Sequence, residues 1–416
     1  MTRPRRLRAA LFAALSLFAL LLLAPADGSA APAEAPELDA KAWVMIDART
    51  GDVLAEQNAD EHLPMASTTK MMTAYLALKN LPLNKEYAAA DYHGDPAESL
   101  MGLEPGQMVS ARDLLYGLIM LSGNDAAVTL AEAVSGTERK FVALMNRTAL
   151  ELGLEDTSYE NPIGLDGDRH YTSANDLARL GQVLMEMPRF RPIASARTAT
   201  LESYSPPIEI TSADSFLLNN EWAKGIKTGH TEKAGYVLVS DGRRRATELI
   251  GAVIGTPTEL ARDAETVELL DYGFSLYTKR VPVRPGKPVA EVPVKYEDED
   301  LKVVSSRGVR IGVRDDERLV ITPDLPGEVE GPIAEGAPLG SATVTVDGDP
   351  IGTVKLLAAE SVEKPGLVDK VRGNPALALI GLLVALSAIL GVVVVMRRRH
   401  SSRMRKRLRR VTRNDQ

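Results

Sequence analysis

From Pro375 to Met396 the chain runs for 22 residues without a charge. No other feature narrows its fold as much. A helix of that length spans the ~30 Å hydrocarbon core of a bilayer, whereas a buried helix of a soluble protein keeps a polar face. Arg397, Arg398, Arg399, Arg403, Arg405, Lys406, Arg407, Arg409, Arg410 and Arg413 follow it. Positive charge of this kind stays on the cytoplasmic side. As a stop-transfer signal beside anionic lipid it needs no RNA partner. At the other end Arg3, Arg5, Arg6 and Arg8 precede the apolar run 9–24 and the small residues Ala24-Pro25-Ala26 and Gly28-Ser29-Ala30-Ala31. That order reads as a secretory signal peptide over residues 1–30. An uncleaved anchor is the alternative, because the run is slightly long. Both ends then lie inside at synthesis. The body between them lies outside the cytoplasmic membrane, held by a single C-terminal pass.

The body is acidic. Fourteen of the chain's 49 Lys and Arg, but two of its 56 Asp and Glu, sit in the first thirty and last twenty residues, so the rest carries a charge of about −19. Nucleic acid is excluded as a partner, since phosphate binding needs clustered positive charge. The chain has no cysteine, which removes disulfides, thiolate metal sites and a cysteine nucleophile. His62, His93, His170, His230 and His400 share no helical or hairpin ligand spacing, so neither a metal nor another cofactor is expected.

Residues 31–38, rich in Ala, Pro and Glu, read as a tether. Trp43–Ile46 and Asp52–Ala55 flank Arg49-Thr50-Gly51 and predict a β-hairpin. A helix is predicted over Ser67–Leu78. Another opens at Ser110, whose spacing to Asp113 resembles a capping box, and further helices cover Asp125–Val134 and Arg139–Leu152. Strand signals return after Gly225: Tyr236–Ser240, a turn at Asp241-Gly242, and Thr247–Ile254 running back, before a helix over Glu259–Leu270. Short β, a long helical block, hairpins and a last helix predict an α+β fold, an antiparallel sheet packed with helices, over residues 39–280. From Val281 the texture changes to short Val-rich runs, Leu301–Val304, Val309–Val313 and Ala342–Val346, separated by Gly, Pro and Asp. This reads as a small all-β domain over 281–359. A polar linker over 360–374, the membrane helix over 375–396 and the basic tail over 397–416 complete the chain.

With cysteine absent, a nucleophile would be Ser, Thr or Lys. Ser67 and Lys70 lie three apart in Pro64-Met65-Ala66-Ser67-Thr68-Thr69-Lys70, on one face of the predicted helix and near its N-terminus. Lys70 could act as base only when neutral, and burial among Met and Leu lowers a lysine pKa. Alone, Ser-x-x-Lys is weak, since it is usually a chance match on a solvated helix face. Two further motifs change its weight. Ser122-Gly123-Asn124 falls between two predicted helices, and Lys227-Thr228-Gly229 is predicted to begin a strand, its glycine allowing a ligand backbone to approach the strand edge. In this order the three match the serine–lysine signature of penicillin-binding proteins and class A β-lactamases.

The stretch from Ala42 to Phe274 resembles the D-alanyl-D-alanine carboxypeptidases among the low-molecular-mass penicillin-binding proteins. The likeness includes Ala66–Ala74, Ser122–Ala126, Asn161-Pro162-Ile163-Gly164-Leu165, His170–Ala174, Lys227–Thr231 and Leu269–Phe274. It implies a transpeptidase-like α/β domain followed by a β domain and a membrane anchor. The implied substrate is a peptidoglycan stem peptide ending in D-Ala-D-Ala, and β-lactam antibiotics would acylate the same site. By the same resemblance Ser67 is the acylated nucleophile, Lys70 its base and Ser122 a proton shuttle. Asn124 binds a substrate amide, Lys227 supports the Ser122 hydroxyl and the positive field, and Thr228 takes the substrate carboxylate. The N–H groups of Ser67 and His230 form the oxyanion hole beside Gly229. Arg262 is read either as a ligand of the terminal carboxylate or as a salt-bridge partner of Asp263 or Glu265, and His170 as structural. Ser215–Asn220 departs from the Asn-rich stretch of many members, which bears on local cleft shape. Two other readings compete. A class A-like β-lactamase would need a Glu-x-x-Leu-Asn pattern, and residues 161–176 offer only Asp166 and Asp168. A non-catalytic wall-binding protein would not need all three motifs intact.

Overall fold

All six residues of the strand Ala42–Asp47 are buried, so this strand has no solvent face. The computed structural model explains why. It describes residues 34–372 and 375–411; the signal peptide read over 1–30 and the last residues of the tail lie outside these. The chain divides into two compact units, one ending at Tyr277 and the other starting at Thr278.

In the first unit β1 (Ala42–Asp47) and β2 (Val53–Gln57) form the predicted hairpin. β3 (Glu86–Ala88) pairs with β4 (Met108–Ser110), and β5 (Thr198–Leu201) with β6 (Ile208–Thr211), as two small ribbons. β7 (Ala223–Thr231), β8 (Gly235–Arg244) and β9 (Thr247–Thr256) complete a five-stranded antiparallel sheet in the order β2-β1-β9-β8-β7. Successive side chains leave a strand on opposite faces. Val44, Ile46, Val237, Val239, Ile250 and Ala252 join one core with Met71, Met72 and Leu78 of the helix Lys70–Asn80. Trp43, Met45, Leu238, Leu249 and Val253 join a second core with Phe216 and with Leu269 and Leu270 of the helix Glu259–Ser275. The sheet is therefore covered on both sides, which turns its inner strands into unbroken apolar runs. Leu38, at the end of the segment read as a tether, is buried in the second core, and the Ala40 N–H donates to Glu265 Oε2 at 3.0 Å.

Local geometry corrects several predictions. Asp241-Gly242 is not a turn. β8 passes through both residues, with Asp241 opposite Ile250, and turns at Arg245-Ala246. Gly242 serves packing instead: a Cβ there would meet the Trp222 ring at 2.8 Å. Lys227 does not begin its strand. β7 starts at Ala223, and its irregularity at Gly225 (φ 98°) is what made the start read as a breaker. The turn Ala66–Thr69, which carries Ser67, is a 3-10 helix, and the α-helix begins only at Lys70. Ser110 accepts from the Asp113 N–H at 3.1 Å, but the Asp113 carboxylate binds Ser203, so half of the capping box forms.

The second unit is all-β apart from its C-terminal helices. β10 (Thr278–Val283) pairs with β13 (Val309–Val313). β11 (Pro288–Val292), β12 (Leu301–Ser305), β14 (Leu319–Asp324), β15 (Pro338–Val346) and β16 (Asp349–Ala358) form a sheet in the order β11-β12-β16-β15-β14. Val283, Val292, Val303, Val344 and Leu356 make its main core. A short helix, Leu367–Arg372, occurs within the segment read as linker. The helix Pro375–Val411 contains one span, Leu379–Ser401, long and apolar enough to cross a membrane.

Candidate active site

The backbone strains just before Ser67. Ala66 has φ 47°, a left-handed value that a non-glycine residue adopts at a cost of about 1–3 kcal/mol. Met65, Met71 and Met72 are fully buried around it, and burying each such side chain stabilises by about 1.5–3 kcal/mol. Packing therefore holds the turn. A relay of hydrogen bonds fixes it further. The Glu160 N–H donates to His170 Nδ1 at 3.0 Å, so Nε2 carries the ring proton and donates to Thr69 Oγ1 at 2.8 Å. The Thr69 hydroxyl in turn donates to the Ala66 carbonyl at 2.8 Å. Burial pushes His170 down to about 4, which keeps the ring neutral. His170 thus ties the loop 160–170 to the turn that carries Ser67.

That loop reaches Lys70. Lys70 Nζ lies 2.9 Å from Ser67 Oγ and donates to the Ile163 carbonyl at 2.5 Å. Gly164 (φ 100°) makes the approach possible, since a Cβ there would sit 2.1 Å from the Ala66 oxygen. Lys70 is fully buried. Burial, with the charge of Lys227 adding to it, holds the amine well below the usual lysine range, and Glu98 and Asp125 oppose the shift without reversing it. A neutral amine donates to Ile163 and keeps its lone pair for the Ser67 O–H, the arrangement a general base requires.

Ser122 lies between the helices Ala111–Met120 and Asn124–Ser135, at a left-handed φ of 60°. Its side chain makes no hydrogen bond among the described residues. Lys227, buried on β7, donates to the Thr228 carbonyl at 2.9 Å, not to Ser122. Burial lowers Lys227 to about 8; Asp214 works to raise it and Arg262 to lower it. β7 is the edge strand, and Gly229 lies against the turn that carries Ser67: a Cβ would stand 2.9 Å from the Ser67 N. His230 is exposed and stacks on Tyr236 at 4.1 Å. Arg262 is buried, not at the surface. It donates to Asp263 Oδ1 (2.9 and 2.7 Å), Ser215 Oγ (3.0 Å) and Glu259 Oε1 (3.1 Å), while Glu265 is spent on Ala40.

The sequence reading missed three carboxylates. Asp125 accepts four backbone N–H groups, from Met101, Gly102, Leu103 and Ala126, at 2.8–2.9 Å, pinning the loop after Glu98 to the Asn124 helix. Glu98 Oε2 accepts from Asn124 Nδ2 at 2.6 Å and from the Tyr92 hydroxyl. Asp214 caps the helix Ser215–Asn219 and is the opposite charge that bears most on Lys227. Asp125 stood inside the motif stretch Ser122–Ala126 without a role, Asp214 was signalled as an Asp before a short apolar run, and Glu98 carried no signal. Among the described residues no group of His, Asp and Glu could hold a metal.

Comparison with known proteins places these features in one lineage. Residues 29–258 match the family described as D-alanyl-D-alanine carboxypeptidase, and residues 277–364 match penicillin-binding protein 5, C-terminal domain. The chain is 33% identical to D-alanyl-D-alanine carboxypeptidase DacA of Escherichia coli K12 over 81% of its own length and 87% of the relative. It is 31% identical to DacF of Bacillus subtilis, over 79% and 87%. Among solved structures, penicillin-binding protein 5 of Haemophilus influenzae superposes with a TM-score of 0.56 at 29% identity, over 80% of this chain and 99% of that one.

Proposed function

The chain belongs to the D-alanyl-D-alanine carboxypeptidase family, and from that premise we propose how its residues carry out the serine carboxypeptidase reaction. The observation that carries the reading is the pairing of Ser67 Oγ with a buried Lys70 amine 2.9 Å away. Ser67 Oγ attacks the carbonyl carbon of the penultimate D-alanine while Lys70 takes its proton. Oxyanion charge develops against the Ser67 and His230 N–H groups, and β7 offers its free edge to the substrate backbone along Thr228 and Gly229. Asn124 binds the amide of the acyl part and Thr228 the terminal carboxylate. Lys227 supplies the positive field, and Arg262, shared among Glu259, Asp263 and Ser215, adds to it. The proton passes from Lys70 through Ser122 to the amine of the departing D-alanine as the peptide bond breaks. Water then hydrolyses the Ser67 ester, and a β-lactam follows the same path up to a slow last step.

Residues 39–280 form the catalytic domain and 281–359 the β domain in this reading, joined through 360–374 to the membrane helix. The tail from Arg397 faces the cytoplasm, because its arginines follow the apolar span directly.

Labelled penicillin tests the central assignment. An adduct is expected on the peptide containing Ser67 and absent in Ser67→Ala. That variant should lose D-alanine release and at most ~1 kcal/mol of stability, since it deletes one hydrogen-bonded hydroxyl. An adduct on Ser122 or any other serine would overturn these roles.

A further inference from the structure

A side-chain amide has a donor end and an acceptor end of nearly the same shape, and nothing within asparagine chooses between them. Asn124 is buried, with Nδ2 2.6 Å from Glu98 Oε2. An ionised carboxylate only accepts hydrogen bonds, so it dictates that the nitrogen faces it. Glu98 is itself held in place. Its Oε2 also accepts from the Tyr92 hydroxyl, and its Oε1 accepts from the Asp95 N–H at 3.1 Å. Directly after it, the Asn124 N–H donates to the Ser99 carbonyl at 2.9 Å and Asp125 fixes residues 101–103. Glu98 therefore joins an anchored stretch of loop to the residue that meets substrate.

We infer that Glu98 is a positioning residue of this carboxypeptidase: it sets which end of the Asn124 amide is presented to the substrate, through a Tyr92–Glu98–Asn124 chain. The inference rests on the reading of Asn124 as the amide ligand and of Lys70 as the base. With Nδ2 committed to Glu98, the carbonyl Oδ1 is left to accept an N–H of the acyl peptide. A reversed amide would set like groups against each other and leave one substrate group unpaired in a water-poor cleft.

The charge environment agrees. Burial works to raise the Glu98 carboxyl, yet hydrogen bonds from Tyr92, Asn124 and the Asp95 backbone, with the Lys70 charge, hold it below its ordinary value. Burial raises the Tyr92 phenol, aided by Glu98 and, further off, Glu138, so it remains a donor. Lys70, Tyr92, Asn124 and the Asp95 N–H are the groups that bear on Glu98, and Asp125 bears with Glu98 on Lys70. Because Glu98 favours the charged form of Lys70, removing its charge favours the neutral base.

The test uses the full chain in detergent, with penicillin titration of Ser67 certifying that each variant is folded. Glu98→Gln keeps the shape but lets the amide face either way. It should raise KM for an acyl-D-Ala-D-Ala peptide about tenfold, a coupling of ordinary size for contacting residues. It should also move the acid limb of kcat/KM to lower pH, since that limb reports the free enzyme's base. Tyr92→Phe removes a donor but no charge, so it should raise KM by less and leave the limb in place. In an Asn124→Ala background, Glu98→Gln should add nothing to KM. A Glu98→Gln enzyme in which KM or the limb stays put, while Asn124→Ala is impaired, overturns the inference and leaves the site reading standing. Wild-type kinetics in Asn124→Ala overturn the site reading itself.

Discussion

One added methyl group at Gly229 tests whether the edge of β7 and the Ser67 N–H share one small space. Gly229 has no left-handed φ, so alanine meets no backbone penalty there. What it meets is the turn that carries Ser67, with the new Cβ 2.9 Å from Ser67 N, 3.1 Å from Ala66 Cβ and 3.2 Å from Thr68 N. Ordinary contact needs about half an ångström more. Two of those three neighbours are backbone atoms of a turn fixed by buried methionines and by the His170–Thr69 relay, so no flexible tip can give way. The strand and the turn must part. An oxyanion donor works at 2.7–3.1 Å and is worth ~3–4 kcal/mol when removed outright, so a half-ångström displacement should forfeit a substantial part of that. Acylation by a fluorescent penicillin, followed by stopped flow, should slow by about 10- to 100-fold in Gly229→Ala. Overpacking should cost ~1–3 kcal/mol of stability, a few degrees in the melt. The rate must be read well below the melting temperature, where the variant is fully folded. Acylation within twofold of wild type would refute the geometry argued for the oxyanion hole.

Two other outcomes are expected. Asp241 is fully buried, neither carboxylate oxygen has a partner among the described residues, and burial, with Glu248 adding to it, pushes its carboxyl up to about 8. The unfolded value is ~3.9, so the native state binds the extra proton and stability falls as pH rises from ~4 through ~8. Asp241→Asn should flatten that decline, and a stability difference from wild type that is equal at pH 5 and pH 9 would rule it out. For the membrane orientation, the absence of cysteine makes single-cysteine labelling clean: Ser401→Cys should resist an impermeant maleimide in intact cells while Glu104→Cys reacts, and the reverse pattern would invert the topology.

How far the sequence could be read depended on the span of each interaction. Ser67 and Lys70 are three residues apart, and the β1–β2 hairpin closes over a few residues, so local periodicity exposes both. The Lys70–Ile163 and Thr69–His170 bonds span 93 and 101 residues, and the first ends on a backbone carbonyl, which no side chain announces. Glu98 reads as one more charge in a polar loop until Asn124 is placed beside it. Asp241-Gly242 misled for the opposite reason. It has the composition of a hairpin turn, but the space beside the Trp222 ring and the buried register of β8 decided its place. Arg262 was legible as an ion-pair former, whereas its burial and its bond to Ser215, 47 residues upstream, were not, because neither is local in sequence.

The two buried lysines show why pairing, and not burial alone, decides which one can be a base. Both are desolvated, and desolvation alone would drive both toward the neutral form. Lys227 has Asp214 as its main opposing charge and stays near about 8, charged for the most part at neutral pH. The carboxylates nearest Lys70 are already committed: Asp125 to four backbone N–H groups, Glu98 to Tyr92, Asn124 and Asp95. Their field reaches Lys70 but neither forms a salt bridge with it. The charged Lys227 then tips the remaining balance, because two buried ammonium groups near one another cannot both keep their protons cheaply. The same charge that would draw a substrate carboxylate toward β7 therefore also adds to burial in holding the amine beside Ser67 below the usual lysine range. Neutralising Lys227 would weaken both functions at once, so its loss should not be divided into a binding part and a catalytic part.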